Sequence, residues 1–210
     1  VKNSRFKIKT SAVLPSKKTA RKYKGRQRCV ETQASILSAT IELLENKSLR
    51  DVTAEAIAQR AGVSKATIYK WWPNKSQVAL EAFLSRMKSA VETPDTGSAQ
   101  KDYVEQIKSL LRFFLSPYGR IYAQFMAEGQ SDLAFRDEFR ERFLKSRRDE
   151  VRVIWQRGVD RGEIRRDIDG DVALDLIYGP VIFRLLTGHS PLNEGQAKAI
   201  VAAAFCGLAK

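Results

Sequence analysis

The chain has 210 residues, 43% hydrophobic and 29% charged, which is the composition of a globular protein long enough for one domain, or for a small domain joined to a larger one. Its formal net charge of +13 is unevenly spread: residues 1–28 hold eleven Lys and Arg and no acid, while the remaining chain holds 26 bases against 24 acids. A nearly neutral body behind a basic arm has no apolar run of signal-peptide or membrane-spanning length, so neither secretion nor membrane insertion is expected and a cytoplasmic protein is the expectation.

The arm, residues 1–28, has no apolar periodicity and reads as a flexible tail. Its charges suit nucleic acid, and an upstream segment outside the working protein is the other open reading. From residue 30 the periodicity is helical. Val30, Ala34, Leu37, Ile41 and Leu44 recur at steps of three and four and predict a first helix running to about Asn46. Thr53 is a good N-cap for a short helix with Ala54, Ile57, Ala58 and Ala61 on one face, ending at Gly62, where a left-handed conformation costs no Cβ clash. Ser64 caps a very short helix that must end before Pro73. Asn74, followed three residues later by Gln77, resembles a capping box and opens a longer helix through Val78, Leu80, Phe83, Leu84 and Met87.

The segment ETPDTGS, residues 92–98, is the first convincing break and the expected boundary between residues 29–91 and 92–210. Beyond it, helices are predicted at about 99–115, 118–129, 131–161, 169–187 and 193–209, separated by SPYG, RGEIRRDIDG and TGHSPLN. Gly179 and Pro180 fall inside the fourth of these, so a kink or an interruption is expected there. No segment sustains the alternation of a strand. The fold class is therefore all-α.

A helix, a short helix of small residues, a Gly turn and a second short helix with polar and basic residues describe a helix-turn-helix. Ala58 and Ala61 let the two helices cross closely, and Val63 and Ile68 are placed to anchor the second one. That helix turns Ser64, Lys65, Ala66 and Thr67 toward base edges in a major groove. Lys70 and Lys75 suit phosphates, and Tyr69 can aim its hydroxyl at the backbone. Trp71 and Trp72 sit at the rim, Trp71 as the contact candidate and Trp72 as core.

The stretch TAEAIAQRAGVSKATIYKWWPNKSQVALEAF, residues 53–83, resembles the DNA-binding domain of the TetR family of transcriptional regulators. The resemblance rests on Thr at the start of the second helix, Ala-Gly-Val-Ser, an apolar residue before Tyr, an aromatic shortly after it, and Asn-Lys opening helix four. It implies that Thr53, Ser64, Lys65, Ala66, Thr67, Tyr69, Lys70, Trp71 and Lys75 face DNA. Pro73 departs from the pattern, and the arm is longer than the family requires.

The resemblance also implies that residues 99–210 form a helical ligand-binding and dimerisation domain, and that the protein is a dimeric repressor released from a palindromic operator by a small apolar or amphipathic molecule. AKAIVAAAFCGLA, residues 197–209, agrees on physical grounds, since so apolar a terminal helix needs a partner. Phe113, Phe114, Tyr122, Phe125, Met126, Trp155 and Phe183 lie on segments that would surround a pocket, with ordinary core packing as the alternative for each. A basic architectural nucleic-acid-binding protein without ligand control is the competing reading, and the neutral, aromatic C-terminal half argues against it. Cys29 and Cys206 lie far apart with no CxxC, and His189 is alone, so no metal, cofactor or disulfide is expected. No paired carboxylates, phosphate loop or nucleophilic triad stands out, so no enzymatic activity is expected.

Overall fold

The computed structural model describes residues 17–209, with side chains described from Cys29 onward. Among these residues the protein is all helical, with one isolated antiparallel bridge, between Ile164 and Ala209. The elements are α1 (Lys17–Leu44), α2 (Ala54–Ala61), α3 (Lys65–Tyr69), α4 (Lys75–Ala90), α5 (Ala99–Leu115), α6 (Pro117–Ser131), α7 (Leu133–Glu138), a π-helical segment (Phe139–Leu144), α8 (Lys145–Asp160), α9 (Gly170–Thr187) and α10 (Glu194–Leu208).

The first helix corrects the sequence reading at its amino end. Backbone helix begins at Lys17 rather than near residue 30, so part of the expected arm continues α1, while residues 1–16 lie outside the described residues. Apolar periodicity is the sequence signal of a helix face, and a run made largely of Lys and Arg carries none even where its backbone is helical. The buried stripe is also rotated from the expected one. Ile36, Thr40, Ile41 and Leu44 are buried while Val30 and Ala34 are exposed, and the Thr40 hydroxyl donates to the Ile36 carbonyl at 2.7 Å.

The cap signals hold locally. Thr53 accepts from the Ala56 amide, Ser64 from Thr67 and Asn74 from Gln77, and Gly62 closes α2 at φ 68°. The reciprocal half of a capping box is not made at Asn74. The Gln77 side chain turns instead to Arg142, accepting at 3.2 Å.

Residues 131–161, expected as one helix, form a helical run broken in register by the π-helical segment. That segment aligns Phe139 and Phe143, both buried, in a stacked pair 4.9 Å apart. Helix α9 runs unbroken through Pro180. Only one intrahelical donor is lost there, and packing of the buried Ala173, Leu174, Ile177 and Val181 holds the helix on both sides.

Helix α5 is central to the second half. It packs against α6, α8, α9 and α10, with the Tyr103 ring 6.2 Å from that of Phe205. The break at 92–98 is pinned: buried Asp102 accepts from the Thr96 amide at 2.6 Å and its hydroxyl at 2.7 Å, and Arg157 donates to the Pro94 carbonyl at 2.9 Å. Gly158 allows α8 to approach α5, because an added Cβ would lie 2.8 Å from Ala99 Cβ and 2.5 Å from Ile164 Cδ1. One continuous apolar core results, running from α1 and α4 into the C-terminal helices.

Candidate nucleic-acid interface and internal cavity

Helix α3 is five residues long and is held by Ile68, which is fully buried. Its anchoring turns Ser64, Lys65, Ala66, Tyr69 and Lys70 outward, with Thr67 half-buried. The Ser64 and Thr67 hydroxyls lie 2.9 Å apart, which fixes both rotors at the amino end of the helix. Thr53, Tyr69, Asn74 and Lys75 converge on one shallow depression between α2, α3 and the start of α4. Three of the nine expected residues, Thr53, Tyr69 and Lys75, thus share one depression, and Ser64, Lys65, Ala66 and Lys70 are exposed on or beside α3.

Electrostatics on that face were not legible in the sequence. Lys65 is paired with Glu55, in the first turn of α2, and lies 5.8 Å from the centre of the Tyr69 ring. The hydrogen bond between them raises the Lys65 ammonium and lowers the Glu55 carboxyl relative to their ordinary values. Glu55 is ten residues from Lys65, and only the helix crossing brings them together.

The two tryptophans separate as expected in burial. Trp72 is 2% exposed and its indole N–H donates to Glu81 at 2.7 Å, so the ring is locked between α3 and α4. Trp71 is half-buried, meets Trp72 edge-on at 5.8 Å and lies under Lys70 at 6.0 Å. Lys75 has a different environment from the free phosphate ligand the sequence suggests. Its ammonium donates to the carbonyls of Leu49, Arg50 and Val52 at 3.1, 2.9 and 2.8 Å. With three protons and three acceptors, it ties the α1–α2 loop to α4.

The C-terminal half contains two adjoining chambers, of about 90 Å³ and about 440 Å³, which share Tyr122, Leu144, Arg148, Tyr178 and Ile182 as walls. The larger falls within the range of small-molecule sites, roughly 300–1,000 Å³. Of the expected pocket residues, Phe114 and Tyr122 line the smaller chamber, and Tyr122, Phe125 and Met126 line the larger. The other three do not line either chamber. Phe113 stacks on Tyr118 at 4.7 Å beside Phe83, Trp155 packs against Gly170, and Phe183 is 60% exposed beside His189. Aromatic identity marks burial or a surface equally well, and helix rotation decides which.

Sequence reasoning missed the polar lining. Arg147 is 7% exposed and pairs with Glu150, and Tyr178 donates to Gln106 at 2.8 Å. Burial pushes the Tyr122 phenol up to about 12 and that of Tyr178 well above its ordinary value, so both are neutral donors at physiological pH. Helix α6 connects the chambers to the first half. One of its faces lines the larger chamber with Tyr122, Phe125, Met126 and Gly129. Another carries Arg120, which donates to the Glu45 carbonyl, Gln124, which accepts from the Leu49 amide at 2.7 Å, and Glu128, paired with Arg50 at 3.0 Å.

Comparison with known proteins agrees with this geometry. Residues 36–82 match the family model described as bacterial regulatory proteins, tetR family, and residues 93–204 match that of the tetracyclin repressor-like C-terminal domain. An HTH-type transcriptional regulator of Bacillus subtilis, YdeS, is 40% identical over 185 residues, covering 88% of this chain and 93% of that protein. The crystal structure of the TetR family regulator SCO0332 superimposes with a TM-score of 0.76 at 30% identity, covering 86% of this chain and all of that one. A Bacillus subtilis regulator, FadR, solved in complex with stearoyl-CoA, shares the fold at 19% identity and a TM-score of 0.65, covering 83% of this chain and 98% of that one. The relatives are regulators rather than enzymes, and a recognition helix anchored by Ile68 beneath a polar, basic face is what such a protein needs: the chain belongs to the TetR family of DNA-binding transcriptional regulators.

Proposed function

We propose that the protein is a dimeric repressor that binds a palindromic operator through residues 29–91 and is released when a small amphipathic molecule enters the chambers of residues 92–210. The outward display of Ser64, Lys65, Ala66, Tyr69 and Lys70 on a helix anchored by Ile68 carries the DNA-binding half of this reading. Thr53, Thr67 and Trp71 complete the DNA-facing set. Lys75, with its protons engaged, acts by holding the α1–α2 loop and the start of α4 in register, and the half-buried first turn of α4 offers phosphate the amides that the Asn74 cap leaves free.

Dimerisation is supported by the outer face of α9, where Val172, Leu176, Phe183 and Leu186 are exposed along one side of the helix. An apolar stripe of that length on a protein surface calls for a partner, and a second copy satisfies it symmetrically. Ligand release is supported by the chambers and by the stearoyl-CoA bound to the FadR neighbour, a molecule with a long apolar tail.

Selection of bound DNA from a random pool tests the reading. Enrichment of an inverted repeat with half-sites one helical turn or a multiple apart is the expected result. Recovery of sequences without symmetry, or binding that fails to discriminate as salt is raised, would favour an architectural protein instead.

A further inference from the structure

The larger chamber is bordered by Asp175 as well as by Arg136, Arg140 and Arg148, whereas the smaller has no acid in its walls. The smaller is bounded by Arg147 and Arg148, and its remaining walls are apolar apart from Gln106, Tyr122 and Tyr178. Arg148 is spoken for, donating to Asp175 at 2.6 Å and to Asp171 at 2.8 Å. Arg147 is not: among the described residues only its Nη1 has a partner, Glu150, which leaves the other guanidinium donors unused although the residue is 7% exposed. Glu150 is itself shared, with Lys88 of α4 at 3.7 Å. Lys88, Glu150 and Arg147 together therefore hold one uncompensated positive charge, with its least hydrated end in the cavity wall. The idle nitrogens of Arg147 keep solvent access, and the residue lines the chamber, so an anion entering there can take them.

We infer that the effector is a singly charged anionic amphiphile whose carboxylate is received by Arg147, with its hydrocarbon body extending past Tyr122 into the larger chamber. This rests on the reading of the chambers as an effector site and adds its ligand class. A guanidinium receives a carboxylate with two parallel N–H···O bonds, which a neutral or cationic head group cannot accept. Glu150 is the in-chain competitor for Arg147. Its displacement by ligand leaves it to Lys88, so the charge change in the cavity is passed to the helix that leads to the DNA-binding half.

The test measures binding of three probes to the full-length protein below their micelle concentrations: decanoate, 1-decanol and decylamine, followed by calorimetry. Decanoate is expected to bind most tightly, and R147M to weaken it by about 10- to 100-fold, the range for losing charged hydrogen bonds, while leaving 1-decanol unchanged. E150Q is expected to tighten decanoate, because the competing acid is gone, and it keeps the test decisive if R147M fails to fold. Equal binding of decanoate and 1-decanol, or an E150Q protein that binds decanoate no better than wild type, overturns the anion assignment and leaves the effector site standing. Binding of none of the three overturns both, while the DNA-binding reading remains open to its own selection experiment.

Discussion

Lys65 and Lys75 show how little a residue type says about its role until its neighbours are known. Both are lysines near the amino end of a helix on the same face, yet one is exposed beside a single carboxylate and the other is held by three carbonyls. Lys65→Ala and Thr67→Ala are expected to lower operator affinity by roughly 10- to 100-fold and to relax base preference at one position of each half-site, measured by competition against single-base variants. Glu55→Gln should tighten binding to all DNA, since it removes a negative charge that competes with phosphates and bases for Lys65. By contrast, Lys75→Met leaves three carbonyls, two of them partly buried, without a donor. It is expected to cost about 1–3 kcal/mol of stability and to lower the melting temperature by several degrees with base preference intact. A Lys75→Met protein that melts like wild type but loses one unit of salt slope would return Lys75 to the phosphate contacts.

In the proposed release by ligand, helix α6 is the element that carries control. Chain continuity points to α4 as the lever between the two halves, with Trp72 and Phe83 packing its two ends. The structure puts Phe83 in the middle of α4 instead, inside a ring of Phe113, Tyr118, Tyr122, Phe125 and Phe143 with centroids 5.3–6.3 Å away. It also adds a second route. Arg120, Gln124 and Glu128 recur at intervals of four on α6 and grip the loop after α1, while the neighbouring α6 face lines the larger chamber. Movement of α6 by a ligand therefore acts on the loop that Lys75 ties to α4. Gln124→Ala should speed hydrogen exchange at the Leu49 amide selectively, leaving α5 and α8 amides protected. Uniform exchange throughout the protein would show that Gln124 is not a local latch. The coupling that reaches DNA is expected to be about 5- to 150-fold in operator affinity, and operator must weaken effector binding by the same factor.

At the scale of the whole molecule, the proposed dimer has two tasks: covering the α9 stripe and spacing two recognition helices. Leu176→Glu and Phe183→Glu place charge on exposed positions, so the fold should survive while the dimer dissociates. Sedimentation is expected to give a monomer, and binding to an inverted repeat should fall to that of a single half-site. A dimer that persists in both variants would move the interface off α9. Gly179 offers a complementary test of the cavity. It borders the larger chamber, and a Cβ added there meets no atom within 4 Å. Gly179→Leu should fill that space and abolish effector binding; since Gly179 lies between Leu176 and Phe183 on the same side of α9, sedimentation checks that the dimer is retained.

The local events were readable in the chain itself. Thr53, Ser64, Gly62 and Asn74 announce helix ends because caps and turns are satisfied within three or four residues, and α5 and α10 begin and end within a residue of where periodicity places them. The motif of residues 53–83 identified the family because a helix-turn-helix compresses its packing and contact demands into one contiguous stretch. What needed tertiary structure was every property set by helix rotation or by partners distant in sequence. The amino end of α1 is polar and so leaves no periodic signal. Phe113, Trp155 and Phe183 resemble Phe114 and Tyr122 in sequence but face other surroundings. Glu55 beside Lys65, Glu150 beside Arg147 and Gln124 beside Leu49 are brought together only when the helices cross or turn. A sequence records which side chains are apolar or charged, whereas the cost of burying a charge, and hence what it must bind, is decided by the partners that packing brings to it.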